Sequence, residues 1–245
     1  MKHLRKFDSV SEMNAAIASS EINILGLAYN NGTPVMKNKS NSSPVPPTPS
    51  HDYVEIGGVK WATMNVGANS VTDLGLYYRW GETQGYTKAY LETETTPDYR
   101  YMDENYNYTK YNDTDEKTVL DLSDDAVNAA WGGNWRMPTK SEFAALAEYT
   151  DSEHVTNYQG SGVEGWLLTD KTDSSKVLFF PCLDVFEVEA PNTTSELYWS
   201  NDATTMFGLG HAFGLICTQQ MFNWDDYDWN YDRTYFNVVR GVLDD

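Results

Sequence analysis

A proline-rich segment divides this chain into two unequal parts. Four prolines lie within Ser43–Ser50, and the residues just before them are mainly Asn and Ser. Prolines at this spacing remove backbone donors and keep the chain extended, so the segment favours a semi-rigid spacer over a packed element. The sequence therefore predicts a small N-terminal module over residues 1–38, a linker over 39–51 and a larger domain over 52–245.

The N-terminal module is predicted to contain one helix and one hairpin. Ser9–Glu12 is a capping-box pattern, and a short helical segment follows it over residues 13–18. Residues 22–29 and 33–36 are two strand patterns joined by an Asn-Gly turn. A helix and one hairpin bury too little surface to be stable alone. We therefore expect this module to dock on another surface.

The larger domain combines short strand patterns with two helices. Helices are predicted over 124–131, capped by Ser123, and over 140–149, opened by the capping box Thr139–Glu142. The Tyr-rich stretch 83–117 predicts a long loop packed by its own aromatic side chains. Strands are predicted at 54–56, 59–62, 76–80, 165–169, 176–180, 197–200, 212–216 and 236–242. The combination predicts an α+β fold with short, mainly antiparallel strands.

Net charge excludes several classes of partner. The chain has 17 basic and 36 acidic residues, a formal charge of −19. Such a chain is repelled by phosphate backbones and by anionic membrane surfaces. No apolar run approaches the length of a membrane span, and no apolar core of a signal peptide follows the basic start. We expect no nucleic-acid partner, no membrane insertion, and residence in the compartment of synthesis until release.

The cysteines and histidines show no catalytic pattern. Cys182 and Cys217 each lie in an apolar strand pattern, which favours two inert core thiols over a disulfide, and a disulfide over a catalytic pair. The four histidines are scattered, without nucleophile–base spacing, and no metal-type cysteine spacing occurs. Paired carboxylates for a glycosidase-like site stay formally open among the acidic residues. We expect a non-enzymatic protein with no catalytic residues.

Five motifs occur in order along the larger domain. They are Val59–Ala68, Tyr78–Thr83, Trp131–Thr139, Tyr198–Ser200 and Phe236–Val242. They resemble the paralogous domains of Bacteroides and Fibrobacter proteins, and Trp-Gly-Gly-x-Trp-Arg-Met-Pro-Thr is the most specific of them. The resemblance implies a C-type-lectin-like fold, in the branch shared with formylglycine-generating enzymes and with variable proteins of diversity-generating retroelements. Residues 1–38 resemble leader domains on tail proteins of Bacteroides phages.

The motifs also carry predictions about packing. We expect their tryptophans to be largely buried, namely Trp61, Trp80, Trp131 and Trp135. We expect Arg136 to bond backbone carbonyls that shape the loop before Pro138.

The segment 221–237 has the composition of a recognition surface. Ten of its seventeen residues are Asn, Asp or Tyr, and neither strand nor helix periodicity is present. Tyr supplies flat contact area while Asn and Asp supply amide and carboxylate groups, which is the chemistry of antibody loops. On composition alone, an ordinary solvated loop with inward-packed aromatics is an equal interpretation.

The family resemblance favours the recognition surface over the solvated loop. In retroelement-diversified proteins this last segment carries the variable residues, and randomised adenines in Asn codons cannot produce Lys, Glu, Gln or Met. None of these four occurs between Phe222 and Asn237. Trp224, Trp229 and Arg233 are predicted to hold the backbone beneath the surface. The predicted ligand-binding residues are Asn201, Asp202, Asn223, Asp225, Asp226, Tyr227, Asp228, Asn230, Tyr231, Asp232 and Tyr235.

The sequence does not specify a metal site. Trp199–Asp202 resembles the Trp-Asn-Asp calcium element of true C-type lectins, but Ser200 is inserted and no Glu-Pro-Asn accompanies it. A structural Ca²⁺ is compatible with the many oxygen ligands, although their spacing singles out no cage. We therefore expect no bound cofactor and no sugar-bridging calcium.

The resemblance implies a receptor-binding protein of a phage or related mobile element. Its ligand would be a bacterial surface glycan or protein, and its N-terminal module would contact other tail or virion proteins. Such a protein is virion-associated, or cytoplasmic until release. A cell-surface adhesin of a Bacteroides-like bacterium is the alternative, and an enzyme of the formylglycine-generating type is a remote one.

Overall fold

The computed structural model describes the backbone of residues 3–6, 24–30, 33–38, 51–182, 194–204, 210–219, 221–223 and 230–245. Side chains are described over 51–182, 197–203, 210–219, 221–223 and 231–245. The chain divides into two compact units, Met1–Pro49 and Ser50–Asp245.

The first unit contains a three-stranded sheet. Its strands are β1 (His3–Lys6), β2 (Ile24–Asn30) and β3 (Thr33–Asn38), in that order across the sheet. β2 and β3 pair antiparallel with Asn30 opposite Thr33, which confirms the predicted hairpin. β1 pairs parallel to β2 and was not predicted, because four largely basic residues show no apolar alternation. The predicted helix at 13–18 lies outside the described residues.

The second unit contains short helices among many short strands. The helices are α1 (Lys88–Thr93), α2 (Ala126–Trp131) and α3 (Lys140–Tyr149). The strands are β4 (Tyr53–Ile56), β5 (Val59–Asn65), β6 (Tyr77–Tyr78), β7 (Trp135–Arg136), β8 (Thr150–Val155), β9 (Gly165–Asp170), β10 (Val177–Pro181), β11 (Thr194–Thr204), β12 (His211–Cys217), β13 (Phe222–Asn223), β14 (Asn230–Asp232), β15 (Phe236–Val238) and β16 (Arg240–Leu243). No helix among the described residues is long and apolar enough to cross a membrane.

Side-chain caps set the starts of α2 and α3. The predicted capping box of α3 is confirmed: Thr139 accepts from the Glu142 amide, and the Glu142 carboxylate accepts from the Thr139 amide. The predicted cap of α2 at Ser123 is wrong. Residues 122–124 form a 3₁₀ turn instead, and Asp125 caps the helix by accepting from the amides two and three residues later.

The described strands of the second unit form three sheets, and most strand pairs in them are antiparallel. One has the order β10-β9-β8, and another has β4-β5-β16-β7. The largest has the order β13-β12-β11-β15-β6, with β14 also paired to β12. β11 and β15 pair in parallel. The predicted mixed α+β class with mainly antiparallel strands is confirmed at this level.

The C-terminal stretch 236–242, predicted as one strand, is two strands. β15 lies in the largest sheet beside β11 and β6, whereas β16 lies between β5 and β7. Val239 separates them, is fully buried, and accepts a backbone hydrogen bond from Val66. One short segment therefore joins two sheets.

The predicted burial of the four motif tryptophans is confirmed, since none is more than 9% exposed. The predicted environment of Arg136 is largely wrong. Its guanidinium pairs with the carboxylates of Glu142 at 2.7 Å and Asp244 at 2.8 Å, and among the described residues it reaches one backbone carbonyl, that of Met137. Two carboxylates outcompete carbonyls for a guanidinium because charge-assisted bonds are stronger.

The Tyr-rich stretch 83–117 packs on its own aromatics as predicted, apart from the short helix α1. The rings of Tyr99, Tyr101 and Tyr111 form edge-to-face contacts with centroid separations of 5.6 to 6.0 Å. Tyr111 also meets Trp80 edge-on at 5.0 Å. This packing anchors the loop to the core, while its tip at Tyr106 is exposed to solvent.

Candidate functional site

Both ends of the segment 224–229 are fixed to one strand. Strand β12 pairs with β11 along one edge and with two separate strands, β13 and β14, along the other. Asn223 lies opposite Ile216, and Asn230 lies opposite Phe213. The centre of the predicted recognition segment is therefore joined at both ends to strands of the largest sheet.

The predicted binding residues fall into three groups. Asp225, Asp226, Tyr227 and Asp228 lie outside the described residues, as do Trp224 and Trp229. Asn230 is described by its backbone alone. The remaining six have described side chains: Asn201, Asp202, Asn223, Tyr231, Asp232 and Tyr235.

Asn201 does not belong to an exposed face, which corrects the sequence prediction. It is only 7% exposed. Its backbone N–H donates to the Pro138 carbonyl, and its backbone carbonyl accepts from the Leu120 N–H. The neighbouring Asp202 is half-buried, and its carboxylate accepts from the Lys140 amide at 2.6 Å. Burial raises the pKa of Asp202, and the bond from Lys140 opposes that rise. Both residues attach β11 to the start of α3 and its preceding loop.

The described tyrosines of the recognition segment are half-buried instead of projecting. Tyr231 and Tyr235 pack against the core cluster that contains Trp80 and Trp199. Asp232 is also half-buried and accepts from the amide and hydroxyl of Thr234, at 2.9 and 2.7 Å. β14 pairs with β12 in the largest sheet, and the side chains on and after it therefore lie against the core. The prediction that all of these residues project from one exposed face is therefore wrong.

Arg233 anchors the end of β14 to the core, whereas residues 224–229, which it was predicted to support, lie outside the described residues. It is fully buried, its guanidinium carbon lies 4.1 Å from the Tyr108 ring centroid and 5.4 Å from that of Trp80, and Nη1 donates to the Tyr111 carbonyl. Nε and Nη2 have no hydrogen-bond partner among the described residues. Stacking between aromatic faces compensates a buried guanidinium. Arg233 thus fixes the 106–114 loop to the end of β14.

A groove of about 370 Å³ lies over this contact. It is lined by Tyr106, Asn107, Tyr108, Asn112, Asp113, Thr114 and Gly210. The Tyr106 side chain is 82% exposed, the largest exposure among the large hydrophobic side chains described. The Tyr108 hydroxyl lies 3.4 Å from both the Gly210 carbonyl and the Asp232 carboxylate, so the groove adjoins β14.

Local turns fix the shape of this groove. The Asp103 carboxylate accepts from the amides of Asn105 and Asn107, each at 2.8 Å. These bonds hold Tyr106 at a φ of 63°, a conformation that Asx turns stabilise. Burial, with the Asp232 charge, raises the pKa of Tyr108 to about 12, so its hydroxyl stays protonated at neutral pH. The groove therefore presents hydroxyl, amide and carboxylate groups in fixed positions.

The sequence predicts a self-packed loop here and does not predict its groove. Residues 104–113 are rich in Tyr and Asn, as 221–237 are, and this is a signal that could have identified them. What the sequence could not show is that Gly210 and β14 lie beside them. That adjacency depends on the pairing of β12 with β14.

A second cavity, of about 670 Å³, lies elsewhere on the second unit. We call it the Cys182 cleft. Leu74, Lys88, Glu164, Cys182 and Gln219 are among its lining residues. Cys182 is half-buried in its wall, whereas Cys217 is fully buried, and both are free thiols. The predicted core position is confirmed for Cys217. Cys182 packs against the same core cluster but also lines the cleft, because β10 ends one residue before it.

The two cysteines lie together despite their separation in sequence. Cys217 Sγ lies 3.6 Å from the carbonyl oxygen of Pro181, the residue that precedes Cys182. Within the part of the chain that the structure describes, no group of three or more His, Cys, Asp or Glu side chains is placed to hold a metal ion. No family model, curated protein or solved structure matches this chain.

Proposed function

We propose that this chain is a non-enzymatic ligand-binding protein whose binding surface is formed by residues 224–229 and the 106–114 groove. The observation that carries the proposal is the anchoring of both flanking strands on β12. A rigid frame lowers the ordering cost of binding, while the side chains that it presents supply specificity. The finer fold belongs to the proposal: a C-type-lectin-like domain, supported by a few short helices among short, mainly antiparallel strands.

The chemistry of this surface favours a hydroxyl-rich or cationic ligand. Tyr106 offers an exposed aromatic face, and Asn107, Asn112 and Asp113 supply hydrogen-bonding groups beside it. With a chain charge of −19, a highly anionic polymer is repelled. We therefore propose a receptor-binding protein of a phage or related element, with a surface glycan or surface protein of a bacterium as its ligand.

The N-terminal unit is assigned a separate role in this proposal. Its three-stranded sheet would attach the chain to other tail or virion proteins, so that ligand binding and assembly use different units. The support for this division is the proline-rich segment and the separation into two compact units.

Binding of the labelled full chain to fixed cells of a panel of Bacteroides strains, and to their purified surface polysaccharides, tests the proposal. Tyr106→Ala and Tyr227→Ala should each weaken binding by about 5- to 100-fold, since truncated aromatic anchors cost about 1–3 kcal/mol. Tyr53→Ala is the matched control, because Tyr53 is 48% exposed on β4, in a different sheet. Equal binding by all four proteins, or equal loss in the control, would exclude this surface.

A further inference from the structure

One cysteine in the wall of the Cys182 cleft lies near a second, buried cysteine. Cys182 is half-buried where it lines the cleft, and Cys217 is fully buried. Cys217 Sγ approaches the carbonyl oxygens of Phe180 and Pro181 at 3.7 and 3.6 Å. The buried thiol is thus held beside the residue that precedes Cys182.

A buried positive charge lies beside the pair. The Arg240 guanidinium is fully buried and donates to Asn65 Oδ1, the Ala62 carbonyl and the Phe179 carbonyl, at 2.6 to 3.1 Å. No carboxylate of the described residues forms an ion pair with it. Burial raises the pKa of the Cys217 thiol, and the charge of Arg240 opposes that rise. Arg240 therefore favours negative charge on sulfur during a reaction.

We propose that Cys182 and Cys217 form an oxidisable dithiol that reacts, through the Cys182 cleft, with a low-molecular-weight disulfide. Cys182 loses its proton and attacks one sulfur of the reagent, which forms a mixed disulfide and expels one thiolate. Cys217 then loses its proton and attacks Cys182 Sγ, which expels the second thiolate. The two thiolates take up the two protons, so the protein is oxidised by two electrons and the reagent is reduced to two thiols.

The product is an intramolecular disulfide at the end of β12. Cys217 pairs with Phe222 of β13, so the new bond forms beside one anchor of the segment 224–229. It also closes the chain between residues 182 and 217, which constrains the unfolded state. Oxidation should therefore raise the thermal midpoint, by about 5 °C or more.

Incubation of the folded full chain with glutathione disulfide, followed by intact mass and peptide mapping, tests the proposal. The wild type should lose the mass of two hydrogen atoms and yield a Cys182–Cys217 cross-linked peptide. Cys217→Ala should stop at one glutathione adduct on Cys182, and Cys182→Ala should gain none. Circular dichroism reports whether each variant is folded, and the wild-type result does not depend on either variant.

Two outcomes would overturn the proposal. One is a folded wild type that keeps both thiols alkylatable after an incubation in which the urea-unfolded chain reacts fully. The other is a wild type that ends as a stable glutathione adduct, because Cys217 then does not attack Cys182.

Discussion

The carboxylate of Asp125 accepts a hydrogen bond from the backbone amide of Met137, with 2.8 Å between oxygen and nitrogen. Its other oxygen accepts from the amides of Val127 and Asn128, both at 2.9 Å. Asp125 is only 2% exposed, so all three donors lose water as well as gain a partner. One side chain therefore fixes both the start of α2 and the end of the Trp-Gly-Gly loop.

Asp125→Ala should lower the free energy of unfolding by about 2–4 kcal/mol, since it removes a helix cap and leaves buried donors unpaired. Urea unfolding followed by circular dichroism measures the change. Glu148→Ala removes an exposed carboxylate from α3 and should stay within about 0.5 kcal/mol of the wild type. Identical midpoints for Asp125→Ala and the wild type would contradict this role.

Trp135→Ala should cost about 3–5 kcal/mol, because it opens a cavity in the core. Trp135 is 5% exposed and meets Trp131 edge-to-face, with 5.0 Å between ring centroids. Differential scanning calorimetry provides the measurement. Tyr106→Ala is the matched aromatic control and should leave the midpoint unchanged, since its ring lies mainly in solvent. A loss in the control as large as in Trp135→Ala would argue against cavity formation.

Gly241→Ala should cost about 1–3 kcal/mol through overpacking. A methyl group at this position would overlap Trp131 Cζ3 and lie 2.8 Å from Val127 Cγ1. Adding Trp131→Phe removes the closer neighbour, so the double variant should lose less than the sum of the two single losses. A double-mutant cycle from denaturant unfolding measures this coupling. Strict additivity would show that Gly241 is required for another reason.

Acid should weaken the fold in part through Glu142. Burial opposes its ionisation, but hydrogen bonds from Arg136 and Thr139 outweigh burial and hold the pKa of this carboxyl below its usual value. The contribution of Glu142 to stability is therefore complete above the unfolded pKa, about 4.3. It is lost as the pH falls through the lower, folded pKa.

Urea unfolding from about pH 6 down to about pH 3 measures this dependence. Glu142→Gln cannot lose a carboxylate charge, so its stability should be lower at neutral pH and fall less steeply in acid. Glu148→Gln, on the exposed face of the same helix, should follow the wild type. A Glu142→Gln curve parallel to that of the wild type would contradict the assignment.

Elements specified by neighbouring residues were predictable from the sequence. The capping box Thr139–Glu142 placed α3 because both bonds form within four residues. The hairpins β2–β3, β4–β5 and β9–β10 follow from strand patterns on either side of turn residues. The start of α2 was misplaced by two residues because Ser123 and Asp125 are both good caps, and only the buried Met137 amide distinguishes them.

Features that depend on distant pairing were not predictable. The division of 236–242 at Val239 requires two sheets, and a single apolar run gives no sign of either. The groove beside Tyr106 requires Gly210, and the thiol pair requires the ends of β10 and β12 to meet. Composition identified the chemistry of residues 221–237, but not which of their side chains the core would cover.

The position of β16 constrains when this unit can fold during its synthesis. β16 lies between β5 and β7, and β15 lies between β11 and β6, so residues 236–243 complete the interior of two sheets. Neither sheet can close until a ribosome has released this stretch. Until then β5 and β11 each lack a neighbour, and unpaired strand edges associate readily with other chains. The nascent unit is therefore exposed to aggregation until residues 236–243 emerge.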